Sequence, residues 1–157
     1  MNSLSDYDII DKLYDASRAG VKIQLLIRGI CSLIPGVKGM SENIEAISIV
    51  DNYLEHSRVY IFGNEENPEV FISSADFMTR NLDARVEVTC PIYDEDIKNE
   101  LINTFNIGWK GNVKARIISE KLDNKYRIRG NSPVFRAQFE TYNYYSNQIE
   151  VIEEEGV

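Results

Sequence analysis

Apolar and polar residues alternate along this chain in two rhythms, and the changes of rhythm divide it into elements. From Ser5 to Arg18, Ile9, Leu13 and Ala16, with Ile10 and Tyr14, recur at helical spacing. Ser5 or Asp6 stands where a cap belongs, and Gly20 stops the run. Val21 to Ile27 (VKIQLLI) is a short apolar run fit for a buried strand. It ends at Arg28-Gly29 and a loop with Pro35, Gly36 and Gly39. Ile44 to Val50 (IEAISIV) is a second apolar run. SRVYIF and EVFIS then alternate as strands around the turn GNEENP.

Val86, Val88 and Cys90 alternate with Glu87 and Thr89, which predicts a strand begun by Arg85 and closed by Pro91. Asp94 to Phe105 reads as an amphipathic helix with an acidic first turn and Ile97, Leu101 and Phe105 on one face. Gly108 and Gly111 end it around Trp109, a packing anchor. Val113 to Ser119 is a further strand, and LDNKYRIRGNS a polar connector. Ser132-Pro133 opens a last helix, with Phe135, Phe139 and Tyr142 on one face. Tyr142, Tyr144 and Tyr145 are expected to dock on the sheet or on another domain, and Glu153 to Glu155 to form a frayed acidic tail. Strands interleaved with helices predict an α/β fold.

Composition narrows the function. The 157 residues suit a single domain, 1–157, with an ordinary core. No run of about 18 apolar residues occurs, so no membrane span is expected. MNSLSDYDII lacks the basic and apolar parts of a signal peptide. Cys31 and Cys90 lie in apolar contexts and form no ligand pattern, which predicts reduced core or near-core thiols and a cytoplasmic setting. The net charge of -8 repels nucleic acid and anionic lipid at long range. No nucleic-acid partner is expected, and any polyanion site must be a local cationic pocket.

The chemistry concentrates between Asn52 and Glu87. His56 is the only histidine, and Arg58, Ser73, Ser74, Asp76, Asn81 and Arg85 follow it within one apparent hairpin and its exit. Cations to hold charge, and an imidazole to exchange a proton or contact an oxygen, suit phosphate chemistry. A strand would place His56 and Arg58 on one face. Arg28 lies at the carboxyl end of the first strand, where α/β sheets gather ligands. Ser74 and Asn81 are able to hydrogen-bond phosphate oxygens, and Arg80 or Arg85 to neutralise them. Each residue also has a plainer reading: a structural histidine, a paired surface arginine, a turn with capping residues. Glu87 stands ready either to pair with Arg85 or to orient a histidine.

Three joined runs, KIQLLIRGICSLIPGVKGMSENI, SIVDNYLEHSRVYIFGN and PEVFISSADFMTRNLDARVEVTCPI, resemble the last catalytic domain of bacterial polyphosphate kinases of the first type. The resemblance covers about Leu13 to about Arg129. It implies the C-terminal part of such an enzyme, folded as a phospholipase D-like half: a mixed β-sheet flanked by helices. In that superfamily two halves pack together and each contributes a histidine. His56 with Arg58 stands where the superfamily has His-x-Lys, and Ser73, Ser74 and Asp76 resemble its Gly-Ser-x-Asn segment. Arginine replaces the lysine, Gly63 stands where an aspartate is expected, and the spacing to the serines is longer. These departures fit the kinase branch and weigh against phosphodiester hydrolysis.

The resemblance implies reversible transfer of the terminal phosphate of ATP to polyphosphate through a phosphohistidine in a preceding domain. It carries over Arg28 and His56 as nucleotide-phosphate contacts, with Arg85 as a third and His56 as the catalytic candidate. ATP or ADP is the substrate, and Mg2+ ligands are expected outside this chain. The preceding domains are the expected partners, in a homo-oligomer, cytoplasmic or membrane-associated as the full enzyme. Two other readings compete. One is a phospholipase D-like phosphodiesterase or nuclease that completes its site as a homodimer. The other is a non-catalytic oligomerisation module, motivated by the tyrosine-rich last helix.

Overall fold

The computed structural model describes residues 1–63 and 67–155, with side chains as far as residue 149. The elements in chain order are α1 (Tyr7–Arg18), β1 (Ile23–Leu26), β2 (Ile44–Ile49), β3 (Val59–Phe62), β4 (Glu69–Ser73), α2 (Thr79–Asp83), β5 (Thr89–Ile92), α3 (Glu95–Lys110), β6 (Ala115–Ile118) and α4 (Ala137–Glu155). Asp6 is the cap of α1: its carboxylate accepts from the Ile9 amide at 3.1 Å. Asp94 serves α3 in the same way, accepting from Asp96 and Ile97.

The class expected from sequence holds, and the strands divide into two three-stranded sheets. The first has the order β1-β2-β6, with β1 and β2 parallel and β6 antiparallel to β2. Both of its faces pack into core clusters, although Gln24, Glu45 and Ile117 are exposed. Leu25, Ile27, Ile44 and Ala46 pack with Leu4, Ile10 of α1 and Leu33. Ile47, Ile49 and Ala115 pack with Leu26, Trp109 of α3 and Ala137 of α4. Packing on both faces explains why β2 reads as an apolar run interrupted only by Glu45 and Ser48.

The second sheet, β3-β4-β5, is antiparallel. The centre of the expected turn between β3 and β4, residues 64–66, lies outside the described residues. Leu4, fully buried, joins the two sheets through bridges to Cys31 and to Phe77. Its neighbours extend the seam: the Leu4 amide bonds the Ile30 carbonyl at 2.8 Å, and the Ser5 amide bonds that of Phe77 at 2.8 Å.

Several boundaries differ from expectation, each for a local reason. Pro91 does not close β5; it lies inside, opposite Phe71. Because β5 is an edge strand, a residue without an N–H is tolerated there. The strand begins at Thr89, so Arg85 precedes it rather than starting it. Gly108 lies within α3, where an added Cβ would stand 2.8 Å from Leu26 Cδ1, so the glycine serves close helix–strand packing instead of ending the helix. The last helix starts at Ala137, not near Pro133. Asn112 holds the intervening segment extended, donating to the Pro133 carbonyl at 2.9 Å and accepting from the Phe135 amide at 2.8 Å.

Tyr144 and Tyr145 dock on α3, meeting Asn103 at 3.3 Å and Thr104 at 3.0 Å, while Tyr142 is exposed. The expected acidic tail, Glu153 to Glu155, continues α4 as helix. Trp109 is the packing anchor it was expected to be, stacked on Phe105. Cys31 is half-buried, but Cys90 is exposed on the edge strand, against the expectation of a near-core thiol. No helix among the described residues is long and apolar enough to cross a membrane.

Candidate functional site

The segment from Asp51 to Arg58 links the two sheets and carries His56 and Arg58 outside any strand, because β3 starts only at Val59. They meet nonetheless. Arg58 Nη2 lies 2.8 Å from His56 Nε2 and 3.1 Å from Asp76 Oδ2. A guanidinium has donors only, so Nε2 is the acceptor and the ring hydrogen sits on Nδ1. The imidazole is exposed, with Nδ1–H as its one donor.

Asp76 anchors this pair from below. It is 3 % exposed, and its Oδ1 accepts from the backbone amides of Asn2 at 2.8 Å and Ser3 at 3.1 Å. Burial alone would raise its carboxyl. The hydrogen bonds from Arg58, Ser3 and Asn2, with the Arg58 charge, together hold it below its ordinary value of 3.8. Tyr60 of β3, two residues after Arg58, stacks on Phe77 and donates to the Ala75 carbonyl at 2.6 Å. Burial, with the Asp76 charge, pushes its hydroxyl up to about 12, so it remains a donor.

Asn2 continues the network to Arg28. Its Oδ1 accepts from Arg28 Nε at 2.9 Å and Nη2 at 2.6 Å. Arg28 follows β1 and is half-buried, and its carbonyl accepts from Ser48 Oγ at 3.2 Å. One hydrogen-bonded line therefore runs from Arg28 through Asn2, Asp76 and Arg58 to His56. Two residues 28 apart in sequence, at the ends of different sheets, belong to a single framework.

Ser73, Ser74 and Asn81 form a second set around Glu87. Ser74 Oγ donates to Glu87, and Asn81 Nδ2 donates to its Oε1 at 2.7 Å. These bonds, Ser74 first, with the charges of Arg85 and Arg58, hold the Glu87 carboxyl below its ordinary value. Ser73 Oγ lies 2.8 Å from Thr89 Oγ1 and also accepts from the Ala75 amide at 3.1 Å. Ser74 and Asn81 both spend a donor on the Glu87 carboxylate. Asn81 is buried besides, and its Oδ1 has no partner among the described residues. Arg85 and Arg80 are exposed, and among the described residues neither makes a hydrogen bond or ion pair. Arg85 lies close enough to Glu87 for its charge to be felt there.

Comparison with known proteins gives this arrangement its setting. Residues 1–138 match the family described as polyphosphate kinase C-terminal domain 2. The chain belongs to that family. The polyphosphate kinase of Vibrio cholerae is 52 % identical over 147 residues, which are 94 % of this chain and 21 % of the relative. That of Escherichia coli strain K12 is 50 % identical over 144 residues, 92 % of this chain and 21 % of the relative. The crystal structure of polyphosphate kinase from Porphyromonas gingivalis superposes with a TM-score of 0.92 at 44 % identity, covering 96 % of this chain and 23 % of that one. The chain spans about a fifth of the length of the curated relatives it matches.

Within this polyphosphate kinase domain, sequence reasoning missed Asn2, which holds Arg28, and Arg136 with Gln138, which hold the His56 segment. Nothing local marks them. Asn2 meets Asp76 across 74 positions, and Gln138 meets Tyr53 across 85.

Proposed function

We propose that this domain forms one wall of the phosphate site of a polyphosphate kinase. In that reaction the terminal phosphate of ATP passes reversibly to polyphosphate, through a phosphohistidine on a preceding domain. The reading includes a phospholipase D-like pairing, in which this domain supplies one histidine and the preceding domain the nucleophilic one. The observation that supports it most is the hydrogen-bonded line from Arg28 to His56, in a chain that belongs to this family.

Phosphoryl transfer needs little covalent chemistry from the protein; it needs positioning and neutralised charge. Arg28 and Arg58 present guanidinium groups held by fixed acceptors, so neither loses much freedom on meeting an anion. His56 directs Nδ1–H outward as a donor to a phosphate oxygen. Arg85, exposed and without a side-chain hydrogen bond or ion pair among the described residues, is able to swing onto a phosphate. The chain's net charge of -8 makes such a local cluster necessary for a polyanion to approach.

Magnesium, when bound with the nucleotide, screens and orients the phosphates. Among the described residues no group of three or more His, Cys, Asp and Glu could hold a metal ion. The carboxylates of Asp51 and Asp76 each face an arginine. In this reading the ion's ligands belong to the nucleotide and the preceding domains.

The test is His56→Ala and Arg28→Ala in the full-length enzyme, assayed as ATP-dependent polyphosphate synthesis. Each is expected to lower kcat/KM by about 100-fold or more, through the loss of a charge-assisted contact to the transferring phosphate. Rates within twofold of wild type for both would discard the reading in favour of a docking module.

A further inference from the structure

We infer that Arg136 and Gln138, at the entry to α4, are positioning residues for His56; this rests on the phosphate-site reading above. The segment from Asp51 to Arg58 has no helix or strand, and Tyr53 and Leu54 are 68 % and 75 % exposed. Packing of its own side chains does not hold it. Two side chains from the far end of the chain do.

Arg136 makes a two-nitrogen fork on Asp51, with Nε to Oδ2 at 2.8 Å and Nη2 to Oδ1 at 2.6 Å, and Nη2 also reaches Asn52 Oδ1 at 3.0 Å. The Asp51 side chain is 1 % exposed and that of Arg136 30 %, so the carboxylate end of the fork is buried. Gln138, 6 % exposed, grips the backbone of Tyr53 from both sides. Its Oε1 accepts from the Tyr53 amide at 2.9 Å, and its Nε2 donates to the Tyr53 carbonyl at 2.7 Å. The same nitrogen reaches Glu55 Oε2 at 3.0 Å, one residue before His56.

The His56 ring has one hydrogen-bond partner among the described residues, Arg58. Its place in space therefore depends on where the backbone of residues 51–55 is held, and α4 holds it. A misplacement of about 1 Å in a phosphate contact costs on the order of 100-fold in rate, so a clamp on the preceding backbone acts on the reaction without touching substrate. It also makes α4 a lever: a partner that shifts the start of this helix moves His56.

A double-mutant cycle in the full-length enzyme tests this. Gln138→Ala is expected to lower kcat about 10- to 100-fold, and to cause no further loss when His56 is already alanine. Equal losses in both backgrounds would show a merely structural residue and overturn the inference. Gln138→Glu keeps the side-chain volume and the bond from the Tyr53 amide while setting a carboxylate against Glu55, so it covers the case in which the alanine variant fails to fold. It too is expected to lower kcat only when His56 is present. An unchanged rate for both variants contradicts the clamp. If His56→Ala itself leaves the rate unchanged, the phosphate-site reading fails first, a separate result. In the wild-type chain the Tyr53 amide is expected to exchange with solvent at least about tenfold more slowly than that of Leu54; equal rates would also count against the clamp.

Discussion

Arg58 reaches Asp76 at 3.1 Å, with side chains 15 % and 4 % exposed. Among the described residues it is one of two ion pairs that set a largely buried carboxylate against an arginine, the other being Arg136 with Asp51. Both brace the segment that carries His56. Breaking a buried pair by removing one partner is costly because the other charge is left without a counter-ion. Asp76→Ala also strips two backbone amides of their acceptor. We predict a loss on the order of 3–5 kcal/mol for this variant, read from chemical denaturation, and a smaller loss for Asp76→Asn. Wild-type stability in Asp76→Ala would refute the anchoring role.

The same carboxylate sets a pH dependence. Its folded value lies below the ordinary 3.8. A depressed carboxylate contributes stability that is fully present above the unfolded value and is lost as pH falls through the folded one. Asp51 has the same sign, lowered first by its hydrogen bonds from Arg136. The Tm gap between wild type and Asp76→Asn should therefore be constant from neutrality down to about pH 5 and narrow below pH 3.8. A gap that widens on acidification would reverse the sign.

The 2.8 Å contact from Arg58 to His56 Nε2 fixes a tautomer. We predict that ring nitrogen shifts at neutral pH report the Nδ1–H form, and that Arg58→Ala removes the bias. A dominant Nε2–H form in the wild type would rule out the contact as described.

Arg28 is held through two nitrogens by one oxygen, which a lysine cannot reproduce. In the full-length enzyme, Arg28→Lys should raise KM for nucleotide by about tenfold, equivalent to about 1.4 kcal/mol of lost binding, while Asn2→Ala shifts it in the same direction and less. No change in KM with either variant would detach Arg28 from nucleotide binding.

Much of the fold was legible because it is written locally. Asp6 and Asp94 sit where helix caps belong, and β2 is mostly apolar because residues on both of its faces pack into core clusters. His56, Arg58 and Arg28 stood out as chemistry in a small region. What sequence hid were roles set by partners far along the chain. Ser74 and Asn81 read as donors from sequence, but that Glu87 lies between them does not. Pro91 reads as a stop because edge position is a property of the sheet, not of the strand. Asn2, Arg136 and Gln138 are ordinary polar residues whose meaning lies 74 to 85 positions away.

The measurement that bears most directly on the account is a two-dimensional NMR titration of the chain with magnesium-ATP, followed by short-chain polyphosphate. Saturable shifts of the His56 ring and of the Arg28, Arg58 and Arg85 side chains, with α3 and the body of α4 unmoved, are the predicted result. Saturable shifts confined to the α3–α4 face, with His56 and the three arginines unmoved, would contradict it.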